Sequence, residues 1–307
     1  MHDSLCHHSA MDILRTPDSC FDNIKDYSFS PNYCDINVTE NQTARMHYVD
    51  ENSQSDEVFL LLHGEPSWSY LYRHMIPILA KTGKRVIVPD LIGFGKSDKL
   101  GSQSDYTYEN HVRWMSSFIN HLDLKNITFF GQDWGGLIGL RIVAQDPSKF
   151  SGMLLANTML PIGKGASEGF EAWKKYSQTV EDFNSGKIVN NASLKKLSDD
   201  EIAAYNAPFP DDNYKACARQ FPNLVPLYPD DASVPENIAA WEVLKKFDKP
   251  TLTIFGSKDP VTLGGEKIFQ KLIPGCKDLK HEVVELRILY RDQPELLAQR
   301  LIIFIVK

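Results

Sequence analysis

Asp133 stands in Gly131-Gln132-Asp133-Trp134-Gly135-Gly136, directly after the apolar run Ile127-Thr128-Phe129-Phe130 and just before Leu137-Ile138-Gly139-Leu140-Arg141-Ile142-Val143-Ala144. A β-rich run, then small residues, then a helical pattern predict a tight strand-to-helix turn, in which glycines let two backbones approach. Such a turn presents one side chain at the top of a sheet, and here that side chain is a carboxylate. Attack by a carboxylate leaves an ester whose acyl carbon belongs to the protein, which suits displacement at a saturated carbon rather than ordinary peptide or ester cleavage. That chemistry asks for donors to a developing oxyanion, a donor for the leaving group, a base for the second step and an acid to orient the base.

Candidates for these roles can be read along the chain. His63-Gly64-Glu65-Pro66-Ser67-Trp68 follows the apolar run Val58-Phe59-Leu60-Leu61-Leu62, which places the backbone N–H groups of Glu65 and Trp134 as oxyanion donors. The competing reading of this loop is a plain turn. The Trp134 indole N–H donates and accepts nothing, so beside Asp133 it suits a departing halide, with packing as its rival role. Trp173, in Gly169-Phe170-Glu171-Ala172-Trp173-Lys174-Lys175, is a second candidate donor, evenly balanced against packing. Asp259, in Phe255-Gly256-Ser257-Lys258-Asp259-Pro260, follows a strand and so shares a sheet end with Asp133. There it would orient a histidine; a solvated turn aspartate is the alternative. Beyond Asp259 the chain has one histidine, His281, which precedes Val283-Val284. It starts a strand, and a rise of roughly 3.3 Å per residue carries it to the wrong sheet edge. His281 therefore reads as a surface histidine, and His47, His63, His74, His111 and His121 lie in early segments without the required geometry.

The elements that must position these residues are short apolar runs at 58–62, 85–88, 127–130, 153–155 and 252–255, with helical patterns such as 70–82 and 108–122 between the earlier ones. Strands alternating with helices predict an α/β fold, a mostly parallel sheet flanked by helices, and continuous apolar runs suit strands buried on both faces. The rhythm breaks after Thr158. From there to about Asp231 the sequence is polar, helix-prone and free of strand-like runs, which predicts an inserted helical cap at 159–231. The core is then 11–158 and 232–307, the sheet resumes at Pro250, and Pro294 to Val306 forms a closing amphipathic helix. Residues 1–10 read as an extra N-terminal tail.

A net charge of −7 over 307 residues argues against nucleic acid and anionic membrane as partners. The five cysteines are odd in number and scattered without a CxxC pair, so the expectation is reduced thiols with neither a disulfide framework nor a zinc site. No apolar run is long enough to span a membrane, and the first residues lack the apolar core of a signal peptide. The expectation is a cytoplasmic protein acting on a small molecule.

Taken together, His63-Gly64-Glu65-Pro66, Gly93-Phe94-Gly95-Lys96-Ser97-Asp98-Lys99 and Gln132-Asp133-Trp134-Gly135-Gly136 closely resemble the haloalkane dehalogenases of the α/β-hydrolase superfamily. Gly169 to Lys174, Ala207-Pro208-Phe209-Pro210 and Gln220-Phe221-Pro222 resemble the cap of the subfamily I enzymes. The resemblance runs from about Met11 to Asp259 and returns at Asp292-Gln293-Pro294-Glu295-Leu296-Leu297. It implies Asp133 as nucleophile, Trp134 and Trp173 as the halide-binding pair, Glu65 as the oxyanion residue and Asp259 as the acid. It also implies a haloalkane substrate, a halide product, no cofactor or metal, and a monomer. The family carries a Gly-His-Phe-like stretch before Asp-Gln-Pro-Glu, where this chain reads Glu285-Leu286-Arg287-Ile288-Leu289-Tyr290-Arg291. The catalytic histidine expected there is absent, and a guanidinium that stays protonated cannot replace it. Two explanations stand side by side. One is true loss; the other is a shifted coding frame, since His-Phe-Ile-Gln-Glu read one nucleotide late can encode Ile-Leu-Tyr-Arg. Without the base the ester at Asp133 should form and then persist. Two rivals remain: an epoxide hydrolase using Tyr176 and Tyr205 over Asp133, and a non-catalytic protein that binds an apolar ligand.

Overall fold

The structure, a computed structural model, describes residues 10–286 and 289–305. In chain order the strands are β1 (Ile13–Leu14), β2 (Asn32–Asn37), β3 (Thr43–Glu51), β4 (Val58–Leu62), β5 (Arg85–Pro89), β6 (Lys99–Leu100), β7 (Ile127–Gln132), β8 (Phe150–Ala156), β9 (Thr251–Gly256) and β10 (Glu282–Val284). Eight of them form one sheet in the order β10-β9-β8-β7-β4-β5-β3-β2, while β1 and β6 pair separately. From β10 to β5 every neighbour is parallel; β3 runs antiparallel to both β5 and β2.

β4, β7 and β9 are buried along their whole length, because helices cover both faces of the sheet. Successive side chains feed opposite faces: Leu60, Leu62 and Phe129 enter one apolar cluster, whereas Phe59, Leu61 and Phe130 enter the other. The strand runs expected at 58–62, 85–88, 127–130, 153–155 and 252–255 all fall inside observed strands. The sequence reading passed over the β2–β3 hairpin. In β2, Cys34 and Ile36 point inward while Asp35 and Asn37 point out, so this sheet-edge strand offers no continuous apolar run.

The helices are α1 (Met75–Ala80), α2 (Tyr108–His121), α3 (Asp133–Gln145), α4 (Glu168–Thr179), α5 (Ser185–Ala192), α6 (Asp199–Asn206), α7 (Ala216–Leu224), α8 (Val234–Leu244), α9 (Glu266–Leu272), α10 (Leu289–Asp292) and α11 (Pro294–Ile305). The single helix expected at 70–82 is replaced by a 3-10 turn at Ser69–Tyr72 followed by the short α1. The turn is closed by i→i+3 bonds such as Leu71 N to Trp68 O at 2.9 Å. Between β8 and β9 the described chain is helical and contains no strand. There α4 packs on α7 and α5 on α6, while α8 packs back onto α3. Starts in this stretch are capped: Ser167 Oγ accepts from Phe170 N at 3.1 Å, and Ser198 with Glu201 forms a reciprocal capping box at α6. No described helix is long and apolar enough to cross a membrane. Of the tail expected at 1–10, residues 1–9 lie outside the described residues, as does Val306.

Candidate active site

The turn between β7 and α3 is as tight as its small residues suggest. Asp133 adopts φ +49°, in the left-handed region. Its N–H donates to Asn157 O at 3.0 Å, and Thr158 Oγ1 donates to its carbonyl at 2.8 Å. The glycines are required by contact. A Cβ at Gly135 would lie 2.0 Å from Leu62 O, and one at Gly136 would lie 2.0 Å from Thr158 Oγ1. Across the cleft, a Cβ at Gly64 would lie 2.4 Å from Asp133 Cβ, so only glycine lets the loop after β4 close on the carboxylate. That closure brings Glu65 N to 2.8 Å from Asp133 Oδ1.

Asp133 faces a cavity of about 180 Å³ whose walls include Glu65, Trp134, Trp173 and Asp259. All five residues singled out in the sequence therefore meet at one place. Burial pushes the Asp133 carboxyl up to about 6; the N–H groups of Glu65 and Trp134 oppose the shift, and the charge of Asp259 adds to it. The Glu65 carboxyl is raised well above the usual range, first by burial and then by Asp133, and neither of its oxygens finds a partner. Its backbone, rather than its side chain, makes the contact to Asp133. Trp134 is 3% exposed, stacked on Phe221 at 4.4 Å and edge-on to Tyr108 at 5.0 Å. Trp173, on α4, stacks on Tyr176 at 6.0 Å. Among the described residues neither indole N–H has a protein acceptor, which leaves both free for a ligand. Leu137, Phe170, Ile188, Val189, Pro222 and Val225 make much of the remaining wall apolar, with Gln132, Asn157, Thr158 and Thr262 beside Asp133 and Asp259.

Asp259 is held, not solvated. Its Oδ1 accepts from Val261 N at 3.0 Å, and its Oδ2 accepts from Thr262 Oγ1 at 2.5 Å and Asn157 Nδ2 at 3.3 Å. Asn157 also accepts from Gly256 N at 2.8 Å, tying the end of β8 to the end of β9. Asn157, Thr158 and Thr262 escaped the sequence reading. The available signal was position: Asn157-Thr158 directly follows a buried strand at the same sheet end as Asp133.

Among the described residues no histidine lines the cavity. His281 is not part of the cavity wall and lies beside Thr253 within β9, but it is not a surface histidine. It is half-buried and doubly engaged: Nδ1 accepts from Thr253 N at 3.1 Å, and Nε2 donates to Cys276 O at 2.8 Å. Its ring bridges two chain segments and is shielded by both. The position expected to carry the family's histidine, Arg287-Ile288, lies outside the described residues. Leu286, just before it, accepts from Lys258 N at 3.0 Å, one residue from Asp259. The tyrosines needed for epoxide opening are elsewhere. Tyr176 is 43% exposed and Tyr205 is buried edge-on to Tyr70; neither lines the cavity.

A carboxylate-bearing strand-to-helix elbow on a mainly parallel sheet flanked by helices defines an α/β hydrolase fold, and residues 57–285 match the family described as alpha/beta hydrolase fold. The haloalkane dehalogenase of Psychrobacter cryohalolentis is 52% identical over 298 residues, spanning 96% of this chain and 98% of that protein. That of Mycolicibacterium paratuberculosis is 42% identical over 294 residues, spanning 95% and 98%. Among solved structures, the tetrameric haloalkane dehalogenase DpaA from Paraglaciecola agarilytica NO2 superposes with a TM-score of 0.88 at 33% identity, covering 94% of this chain and 97% of that one. The chain belongs to the haloalkane dehalogenase family.

Proposed function

We propose that this protein cleaves carbon–halogen bonds of small haloalkanes, with Asp133 as the nucleophile. The carrying observation is the Asp133 carboxylate held by Glu65 N in a largely apolar cavity that Trp134 and Trp173 also line, with no protein acceptor for either indole N–H among the described residues. An Asp133 oxygen attacks the carbon bearing the halogen. The carbon–halogen bond breaks with its electron pair on the halide, which the Trp134 and Trp173 indoles hold. The product is an alkyl ester at Asp133. Hydrolysis then requires water to attack the ester carbonyl, with the backbone N–H groups of Glu65 and Trp134 stabilising the oxyanion. Asp259 is the acid placed to orient a base.

In this reading 159–231 is the cap, supplying Trp173 and the apolar wall, while 11–158 and 232–307 are the core. The protein works as a monomer in the cytoplasm, in contrast to the tetrameric relative, and sedimentation of the purified chain decides between one copy and four.

With arginine and isoleucine at 287–288, the second half of the cycle lacks its base. General-base catalysis is worth about 10²–10⁴-fold, so alkylation outruns ester hydrolysis. Exposure to a bromoalkane should release about one bromide per chain in a burst, with the alkyl mass located on Asp133. Sustained bromide release with Asp133 unmodified would overturn this reading. The apolar-ligand alternative predicts binding with no adduct, which the same spectrum detects.

A further inference from the structure

A second pocket, of about 610 Å³, lies where the insertion meets the core. Its walls come from the loop after β4, from the α5–α6 connection and from the start of α11. The same segments, a few residues earlier, supply Leu71, Val189 and Ala192 to the catalytic cavity. The composition is unlike the rest of this acidic chain. Lys25, Arg73, Lys195, Lys196 and Arg291 face Glu201, Asp292 and Glu295, five cations against three carboxylates. His74 adds no charge at neutral pH, since burial and the neighbouring Arg73 hold its imidazole below the usual range.

Two of the cations are sunk into the protein. Arg73 is 3% exposed and the Arg291 side chain 6%. Arg73 lies over the Tyr70 ring at 4.0 Å and donates from Nη2 to Glu201 Oε1 at 2.7 Å, but its Nε is buried without a partner. Arg291 donates from Nη1 to Asp292 Oδ1 at 2.8 Å. Lys196 Nζ donates to Asn190 O at 3.2 Å. Lys25 and Lys195 have no ion pair or hydrogen bond from their ammonium groups among the described residues. Two ammonium groups without partners among the described residues, beside two sunken, planar guanidiniums, make a positively charged recess, and charged donors of this kind suit oxyanions.

We propose that this pocket binds a phosphate group, as free phosphate or as a small phosphomonoester. Arg73 and Arg291 form its floor, and Lys25 and Lys195 its rim. Glu201 and Asp292 orient the guanidiniums and leave the excess positive charge to the ligand. The site is separate from the catalytic cavity and takes a different chemical class.

The test is thermal unfolding of the full chain in increasing inorganic phosphate at neutral pH, against sodium chloride of equal ionic strength, with bromide saturating the catalytic cavity throughout. A saturable rise in Tm with phosphate alone is expected. The Lys25→Gln/Lys195→Gln double variant, which touches no recorded contact, should raise the half-saturating phosphate about tenfold. Glycerol phosphate in place of inorganic phosphate separates the two sources, the tighter binder identifying the ligand. An equal rise in chloride, no rise under bromide, or identical half-saturation in the double variant would each overturn the proposal.

Discussion

At the residue scale the cavity makes Asp133 both reactive and expensive to hold. Only the ionised carboxylate attacks carbon, and its protonation midpoint is raised by burial to about 6. The alkylation rate should therefore fall about tenfold between pH 7 and pH 5, measured as the burst rate against a bromoalkane. A carboxyl whose folded pKa exceeds the ordinary 3.8 destabilises the fold wherever it is ionised in the native state. Asp133→Asn should then gain stability, up to about 3 kcal/mol above pH 7. The gain should shrink as pH falls through 6 and vanish below 4, as denaturant unfolding at several pH values would show. Trp173→Phe keeps an aromatic wall but removes one indole N–H, the donor proposed for the halide. A hydrogen bond to a charged group of this kind predicts a burst about 10- to 100-fold slower, with weaker bromide quenching of tryptophan fluorescence. These residues were legible in the sequence because their types are chemically marked and their motifs adjoin apolar runs. Asn157 and Thr262 were not, since small polar residues acquire a role only through the contacts that folding gives them.

At the element scale the site depends on four strand ends kept in register, those of β4, β7, β8 and β9. Gly135 lets α3 lie against the end of β4, where a Cβ would sit 2.0 Å from a backbone oxygen. Backbone cannot move aside as a flexible side chain does, so Gly135→Ala should cost about 3 kcal/mol in denaturant unfolding and displace Glu65 N from Asp133. Asn157 does the corresponding work between β8 and β9. Asn157→Ala strands Gly256 N and releases one contact to Asp259, with an expected loss of about 1–3 kcal/mol. Unchanged stability in that variant would mean that water fills the gap. The parallel strands were readable as continuous apolar runs, whereas the β2–β3 hairpin at the sheet edge alternates in polarity and gave no such signal. The helix expected at 70–82 begins instead as a 3-10 turn, where Ser69 N donates to Asp90 Oδ1 at 2.7 Å, and α1 starts only at Met75.

At the scale of the whole molecule, helices between β8 and β9 and the loops at the strand ends together wall the cavity, and the chain after β10 returns to the loop that carries Asp259. Leu286 O accepts from Lys258 N in the strand-end loop that carries Asp259. Ile288→His should convert a single burst of bromide into continuing release, raising the steady rate about 10²-fold or more. If release still stops after one equivalent, the arrest lies elsewhere than in the missing base.

The sequence by itself determined the family and the residues proposed for its chemistry, because a carboxylate at a glycine-flanked strand-to-helix turn and a pair of tryptophans are local facts of residue type and spacing. It determined the sheet class too, through periodic apolar runs. The tertiary structure alone decided that Asp133, Glu65, Trp134, Trp173 and Asp259 share one cavity, that His281 binds Thr253 and Cys276 instead, and that cations scattered from Lys25 to Arg291 converge at a second pocket. Those outcomes depend on contacts between segments far apart in the chain, which only packing brings within hydrogen-bond range.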